Sequence, residues 1–153
     1  MRKLVSAALL GAILTLGAGS AFAHCQVPCG IYTDEMRFHM IAEDTATIEK
    51  AMTKITEIGG SDYNQVVRWV MTKEEHAQKI QDVVNAYFLT QRIKVTEEPG
   101  EDYYTSLRLC HEMLVYAMKC KQGTDAANVA KLRAATAAFH DHYFGDKEHD
   151  HHE

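Results

Sequence analysis

The sequence contains only two prolines, and it is equally poor in the patterns that predict β-strands. Pro28 lies near the N-terminus and Pro99 lies between two periodic segments, so neither interrupts an amphipathic stretch. Over most of residues 33–144, apolar side chains recur at three- and four-residue intervals, which is the spacing of one face of an α-helix. The lack of strand patterns together with this spacing predicts an all-α protein.

Two further features that the sequence lacks exclude classes of function. No run rich in lysine and arginine occurs and no glycine-rich phosphate loop is present, so nothing supports binding of nucleic acid or nucleotides. The chain has 16 basic and 21 acidic residues, which give a formal net charge of −5 at pH 7. Such an acidic surface does not favour nucleic acid or anionic membranes as partners.

The N-terminal segment has the composition of an export signal. It begins with the charged tripeptide Met-Arg-Lys, continues as an apolar run over residues 4–16, and ends with small residues at Ala21 and Ala23. The apolar run is shorter than the about 20 residues that a membrane-spanning helix needs. We therefore expect residues 1–23 to be a secretory signal that signal peptidase removes. The mature protein is then exported, periplasmic or secreted, with no membrane attachment.

Cleavage after Ala23 makes His24 the first residue of the mature chain, and two cysteines follow closely. Residues 24–29, His-Cys-Gln-Val-Pro-Cys, then present an α-amine, an imidazole and two thiols. The α-amine and the next backbone nitrogen form a chelate ring once that amide is deprotonated. Cu(II) and Ni(II) promote this deprotonation and favour square-planar coordination, whereas zinc prefers a tetrahedral set and needs two more ligands from elsewhere. Residues 24–32 therefore predict a metal-binding hook.

Four amphipathic segments follow the hook, with short breaks between them. The breaks are Gly59-Gly60, Glu97-Glu98-Pro99-Gly100 and Gly123. The residues that suit helix N-termini are Thr33-Asp34-Glu35, Ser61-Asp62 and Thr124-Asp125. The fourth segment is shorter than the others and its apolar spacing extends to Tyr143. Residues 33–144 therefore predict an antiparallel four-helix bundle.

The last nine residues, 145–153, are charged and rich in histidine, a composition that predicts a disordered tail. Two interpretations of the histidines at this end of the chain stay open. They either gather nickel, copper or zinc loosely, or they belong to a solvated segment without a metal. The histidines concerned are His142, His149, His151 and His152.

The four cysteines fall into two pairs with different predicted roles. Cys110 and Cys120 lie on the apolar stripe of the third helix, where ten residues separate them by about 15 Å. This distance is too long for a disulfide, so we expect both to be small, buried core residues. Cys25 and Cys29 bind a metal or form a disulfide in an oxidising compartment, which leaves a thiol–disulfide protein as an alternative.

The motif His-Cys-x-x-Pro-Cys-Gly-x-Tyr over residues 24–32 resembles the hook of nickel-containing superoxide dismutases. The resemblance extends into the helices at Lys73-Glu74-Glu75-His76-Ala77 and at Ala86-Tyr87-Phe88. It implies four-helix subunits that assemble into a homohexamer with one nickel ion per subunit. It also implies superoxide as the substrate, converted to dioxygen and hydrogen peroxide as nickel cycles between Ni(II) and Ni(III).

The same resemblance implies a role for each residue of the motif. His24 would supply its amine and, in the oxidised state, its imidazole as an axial ligand. Cys25 would supply its thiolate and its backbone nitrogen, and Cys29 would supply the second thiolate. Tyr32 would stand over the open face of the nickel and control the access of small anions. Tyr87 matches a second family tyrosine near that site.

The family pattern also includes a carboxylate that orients the axial imidazole and an arginine that supports this carboxylate. Glu43 is the candidate for the carboxylate, and His76 stands where the arginine is expected. A second hypothesis uses the same hook without redox turnover. In that case the protein is a periplasmic carrier that binds nickel or copper.

Overall fold

A computed structural model of the protein describes residues 33–149. The elements are α1 (Asp34–Ile58), α2 (Tyr63–Val83), a π-helical segment (Val84–Arg92), α3 (Glu101–Gln122) and α4 (Ala126–His149). None of the described residues forms a strand. The predicted all-α four-helix bundle is confirmed, whereas the leader and the hook at residues 24–32 lie outside the described residues. Between residues 33 and 149, no helix combines the length and the apolar character that crossing a membrane requires.

The helices begin and end at the predicted breaks, where a glycine with positive φ or a capping aspartate satisfies several of the helix ends. α1 stops at Gly59, whose φ of 54° is a left-handed conformation that glycine adopts without a steric cost. α2 starts after Asp62, whose carboxylate accepts a hydrogen bond from the backbone N–H of Gln65 at 3.1 Å. α4 starts after Asp125, whose Oδ1 accepts from the N–H of Ala127 at 2.9 Å.

The fourth helix is longer than its apolar spacing predicted. It contains 24 residues, against 25 in α1, and it continues past Tyr143 to His149. Residues 145–149 extend α4, although their composition predicted a disordered tail from residue 145. The rest of that predicted tail, residues 150–153, lies outside the described residues. Apolar periodicity marks only the part of a helix that packs on a core, whereas the backbone hydrogen bonds that extend a helix are local.

The helices pack in a ring in which α1 contacts α2, α2 contacts α3, α3 contacts α4 and α4 returns to α1. The pairs α1–α2 and α3–α4 make the most extensive contacts. Each helix contributes fully buried side chains to one shared core. The largest of these are Phe88, Phe139, Ile41, Ile48, Ile80, Met113, Leu132, Val84 and Val129.

Cys110 and Cys120 are both fully buried, and both thiols are free, as the spacing predicted. Burial raises the pKa of Cys110 to about 12 and that of Cys120 to about 11, from an ordinary value of 9.0. The neutral thiol is therefore the form that the fold favours. Because the pKa is raised on folding, the contribution of these thiols to stability is complete below pH 9 and is lost as the pH rises toward 11 and 12.

Lys73 ties α2 to the end of α3 through a buried ammonium group, since the residue is only 3% exposed. Its Nζ donates to the carbonyl of Cys120 at 2.7 Å, to the carbonyl of Lys121, and to Oε1 of Glu74 at 3.2 Å. The two carbonyls belong to the last turn of α3, where backbone acceptors have no partner within the helix. The positive charge also interacts favourably with the C-terminal end of the helix dipole.

Candidate functional site

Asp34, the first residue of α1, lies at the centre of a polar cluster at the end of the bundle that is closest in sequence to the hook. Its Oδ2 accepts a hydrogen bond from the hydroxyl of Tyr143 at 2.7 Å. Its Oδ1 accepts from Nη2 of Arg92 at 2.5 Å and from the hydroxyl of Tyr87. These four residues, here called the Asp34 cluster, join α1, the π-helical segment and α4 through one carboxylate.

The π-helical segment explains how Tyr87 and Arg92 reach the same carboxylate. Residues five apart in an α-helix are turned by about 140° from one another. A π-helix has hydrogen bonds across five residues and brings such a pair toward one face. Here the N–H of Ile93 donates to the carbonyl of Phe88, five residues earlier, at 2.9 Å. As a result, Nη2 of Arg92 donates to the hydroxyl of Tyr87 at 2.8 Å.

The spacing of the second amphipathic segment predicts an α-helix and gives no indication of the π-helical turns. Two polar side chains help to hold the wider turns. The hydroxyl of Thr90 donates to the carbonyl of Asn85 at 2.6 Å, and Nε2 of Gln91 donates to the carbonyl of Ala86 at 2.7 Å. Thr90 and Gln91 are therefore the local sequence signal for the π-helical turns. The same residue types also occur next to each other in ordinary α-helices, so this signal does not predict a π-helix by itself.

Hydrogen bonding and burial fix the protonation states within the Asp34 cluster. Burial, followed by the hydrogen bond to Asp34, raises the pKa of Tyr87 and that of Tyr143. Burial alone would lower the pKa of Arg92, but the hydrogen bonds to Tyr87 and Asp34 raise it overall. Near neutral pH both tyrosines are therefore neutral donors, and Arg92 is a cation.

Aromatic rings and a second cation surround Tyr87, which is 3% exposed. The ring of Phe88 meets the ring of Tyr87 edge-on at 5.3 Å between centroids. The guanidinium carbons of Arg37 and Arg92 lie 5.1 Å and 4.9 Å from the centre of the Tyr87 ring. Cations over an aromatic face are attracted by its negative charge density. Tyr87 is thus held firmly next to two positive charges in an otherwise acidic chain.

The structure describes one of the five residues that the sequence singled out for the site. This residue is Tyr87, which belongs to the Asp34 cluster. The other four, His24, Cys25, Cys29 and Tyr32, lie outside the described residues, and their roles stay predictions. Tyr32 precedes Asp34 by two residues in the sequence.

The candidate carboxylate Glu43 is exposed on α1, and its neighbour Asp44 is the buried one. Oδ1 of Asp44 lies 2.6 Å from Nδ1 of His76, which joins α1 to α2. Sequence reasoning missed this pair, although a signal was present. Asp44 is three residues after Ile41 and four before Ile48, both fully buried, so it falls on the inward stripe where Glu43 does not.

Sequence reasoning also missed Asp34, Arg92 and Tyr143 as members of a site. Among the side chains that the structure describes, no group of three or more histidine, cysteine, aspartate or glutamate residues is arranged to hold a metal ion. The donors predicted for a metal are those of the hook at residues 24–32.

Comparison with known proteins agrees with the motif. A family model described as nickel-containing superoxide dismutase matches residues 19–147. This match spans the predicted hook and all but the last two residues of α4. No curated protein and no solved structure matches the chain.

Proposed function

Because this chain belongs to the nickel-containing superoxide dismutase family, we propose that its metal is held by the hook at residues 24–32 after removal of residues 1–23. Family membership makes the protein a nickel superoxide dismutase, an oxidoreductase that acts on superoxide. The observation that carries the assignment of the hook is its donor set, which is confined to the first residues of the predicted mature chain.

The donor set fits nickel. His24 would hold the metal through its α-amine and its imidazole, Cys25 through its thiolate and backbone nitrogen, and Cys29 through a second thiolate. Two nitrogens and two sulfurs suit the planar coordination that Ni(II) favours. Anionic thiolates and a deprotonated amide also stabilise the higher oxidation state. When bound, nickel supplies one-electron exchange between Ni(II) and Ni(III), by which two superoxide ions and two protons give dioxygen and hydrogen peroxide.

The protein side chains have two tasks, to admit a small anion and to exclude larger molecules. Tyr32 is proposed to control access to the metal and to limit it to small anions. Tyr87 is proposed to line the approach beside it. The guanidinium groups of Arg37 and Arg92 over the Tyr87 ring support this assignment. They place positive charge beside Tyr87 on a chain whose net charge is −5 at pH 7, and positive charge favours the approach of an anionic substrate.

The mature protein is proposed to be exported, to the periplasm or beyond the cell, and to assemble as a homohexamer. The composition of residues 1–23 supports export. A stripe on α2 supports assembly, because Tyr63, Val67 and Met71 recur every four residues and are 76%, 56% and 66% exposed. A contact between subunits would remove this apolar surface from water.

The choice of metal tests the proposal directly. Protein that begins at His24 is reconstituted under reducing conditions with nickel, copper or zinc, and superoxide decay is followed by stopped-flow absorbance. We expect fast decay only with nickel, since zinc has no accessible redox couple. Equal decay with copper would contradict nickel as the working metal. Firm nickel binding without superoxide consumption would instead favour the carrier function.

A further inference from the structure

We propose that Asp34 is a positioning residue for the hook, an inference that rests on the proposed function. Its carboxylate fixes the start of α1 to the π-helical segment and to α4 through Tyr87, Arg92 and Tyr143. These bonds fix the position of the first residue of α1, to which the hook is joined through the chain. Tyr143 takes part in this role as the only member of the Asp34 cluster contributed by α4.

The hydrogen bonds to Asp34 are strong enough to hold a chain segment in place. Its side chain is 13% exposed and that of Arg92 is 32% exposed, so water competes less than it does for a surface ion pair. The contacts combine a charge-assisted bond from a guanidinium with bonds from two neutral phenols, and bonds to an ionised acceptor are the stronger kind. The negative charge is also favourable at the N-terminus of α1.

Neither Thr33 nor Glu35, the polar residues on either side of Asp34, fixes the start of α1 to the bundle interior as Asp34 does. Thr33 precedes α1 with an extended backbone, but its side chain makes no capping hydrogen bond. The next acid, Glu35, has a side chain that is 47% exposed, and it approaches Nε2 of His140 at 3.1 Å on the surface. Of the two acids in the first turn of α1, Asp34 is therefore the one that binds the interior of the bundle.

The hook is covalently close to this anchor. Tyr32 is two residues before Asp34, and Cys29 is five residues before it. Even a fully extended chain spans at most about 3.6 Å per residue, so few residues separate the hook from this anchor. A change in the direction of the chain at Asp34 is passed on to both residues. Misplacement of a catalytic group by about 1 Å costs about a hundredfold in rate.

The test compares the nickel-loaded D34A and D34N variants with the wild-type protein. Backbone amide exchange of residues 25–33 is measured by mass spectrometry, and the oxidised metal is examined by electron paramagnetic resonance. In D34A we expect exchange to accelerate about tenfold, and we expect an altered resonance spectrum at unchanged nickel content. D34N keeps one oxygen acceptor but loses the charge, so its exchange rate should lie between those of D34A and the wild type.

The matched control is D82N, which alters an exposed carboxylate on α2 that accepts a hydrogen bond only from Gln78 on the same helix among the described contacts. D82N should leave the amide exchange of residues 25–33 and the electron paramagnetic resonance spectrum unchanged. If D34A fails to fold, the Y143F variant tests the proposal instead. It removes the hydroxyl that donates to Asp34 and leaves the Asp34 carboxylate in place. Its exchange at residues 25–33 should rise about threefold, whereas Y104F, at a tyrosine that is 54% exposed, should change nothing.

Native exchange and a native spectrum in the folded D34A variant, or in Y143F if D34A does not fold, would overturn the role of Asp34 alone. A wild-type protein without a nickel signal from the hook would instead overturn the proposed function. The two failures are therefore distinguishable.

Discussion

Replacement of Cys25 or Cys29 by serine should abolish superoxide dismutation and leave the helical bundle folded. Serine stays protonated near neutral pH, so each substitution removes one of the two anionic sulfur donors proposed for nickel. Loss of a residue that merely supports a metal ligand costs about 10- to 100-fold in metal affinity or activity. Loss of a ligand itself should cost at least the upper end of that range. Superoxide decay and far-ultraviolet circular dichroism measure the two expectations on the same samples.

The second pair of cysteines provides the control. Cys110→Ala removes a fully buried thiol from the core of the bundle, so it should lower stability and keep activity per folded molecule. Retained dismutation in both hook variants would exclude the hook as the catalytic site. Loss of helical signal in those variants would mean that Cys25 and Cys29 act in folding.

The largest expected effect on stability is that of Phe88→Ala. Phe88 is fully buried, and its ring lies 4.9 Å from that of Phe38, 5.0 Å from that of Phe139 and 5.6 Å from that of Tyr143. Truncation of a buried phenylalanine costs about 3–5 kcal/mol, because burial is lost and a cavity remains. This is a large part of the about 5–15 kcal/mol by which a domain is stable. Urea unfolding at one fixed protein concentration measures the change.

Tyr104→Ala is the matched aromatic control, since Tyr104 is 54% exposed. Its effect should stay within about 0.5 kcal/mol, as for most surface substitutions. Similar losses for both variants would contradict a core centred on Phe88. The same cavity lies beside Tyr87, so Phe88→Ala should also loosen the Asp34 cluster.

Much of the fold could be predicted from the sequence because helix ends are encoded locally. Gly59 and Asp62 act on backbone groups within a few positions, and these are visible in a short window of sequence. The Asp34 cluster has no such signature. Arg92 and Tyr143 are 58 and 109 positions from Asp34, and only the packing of three elements brings them together.

The candidate carboxylate Glu43 shows a second limit. The resemblance gave Glu43 as the only candidate and did not indicate its neighbour Asp44. The helical spacing from Ile41 and Ile48 places Asp44 on the inward stripe of α1, where Glu43 does not lie. The π-helical segment was missed for a different reason, since α- and π-helices both allow Val84, Tyr87 and Phe88 to be buried together.

The free N-terminus of His24 is proposed to form part of a catalytic nickel site. The most direct measurement compares superoxide decay by nickel-loaded protein that begins at His24 with decay by the same chain carrying one extra N-terminal residue. The extra residue converts the α-amine into an amide and moves the new amine away from Cys25. We predict fast decay only for the chain that begins at His24. Equal decay by both proteins would contradict the claim.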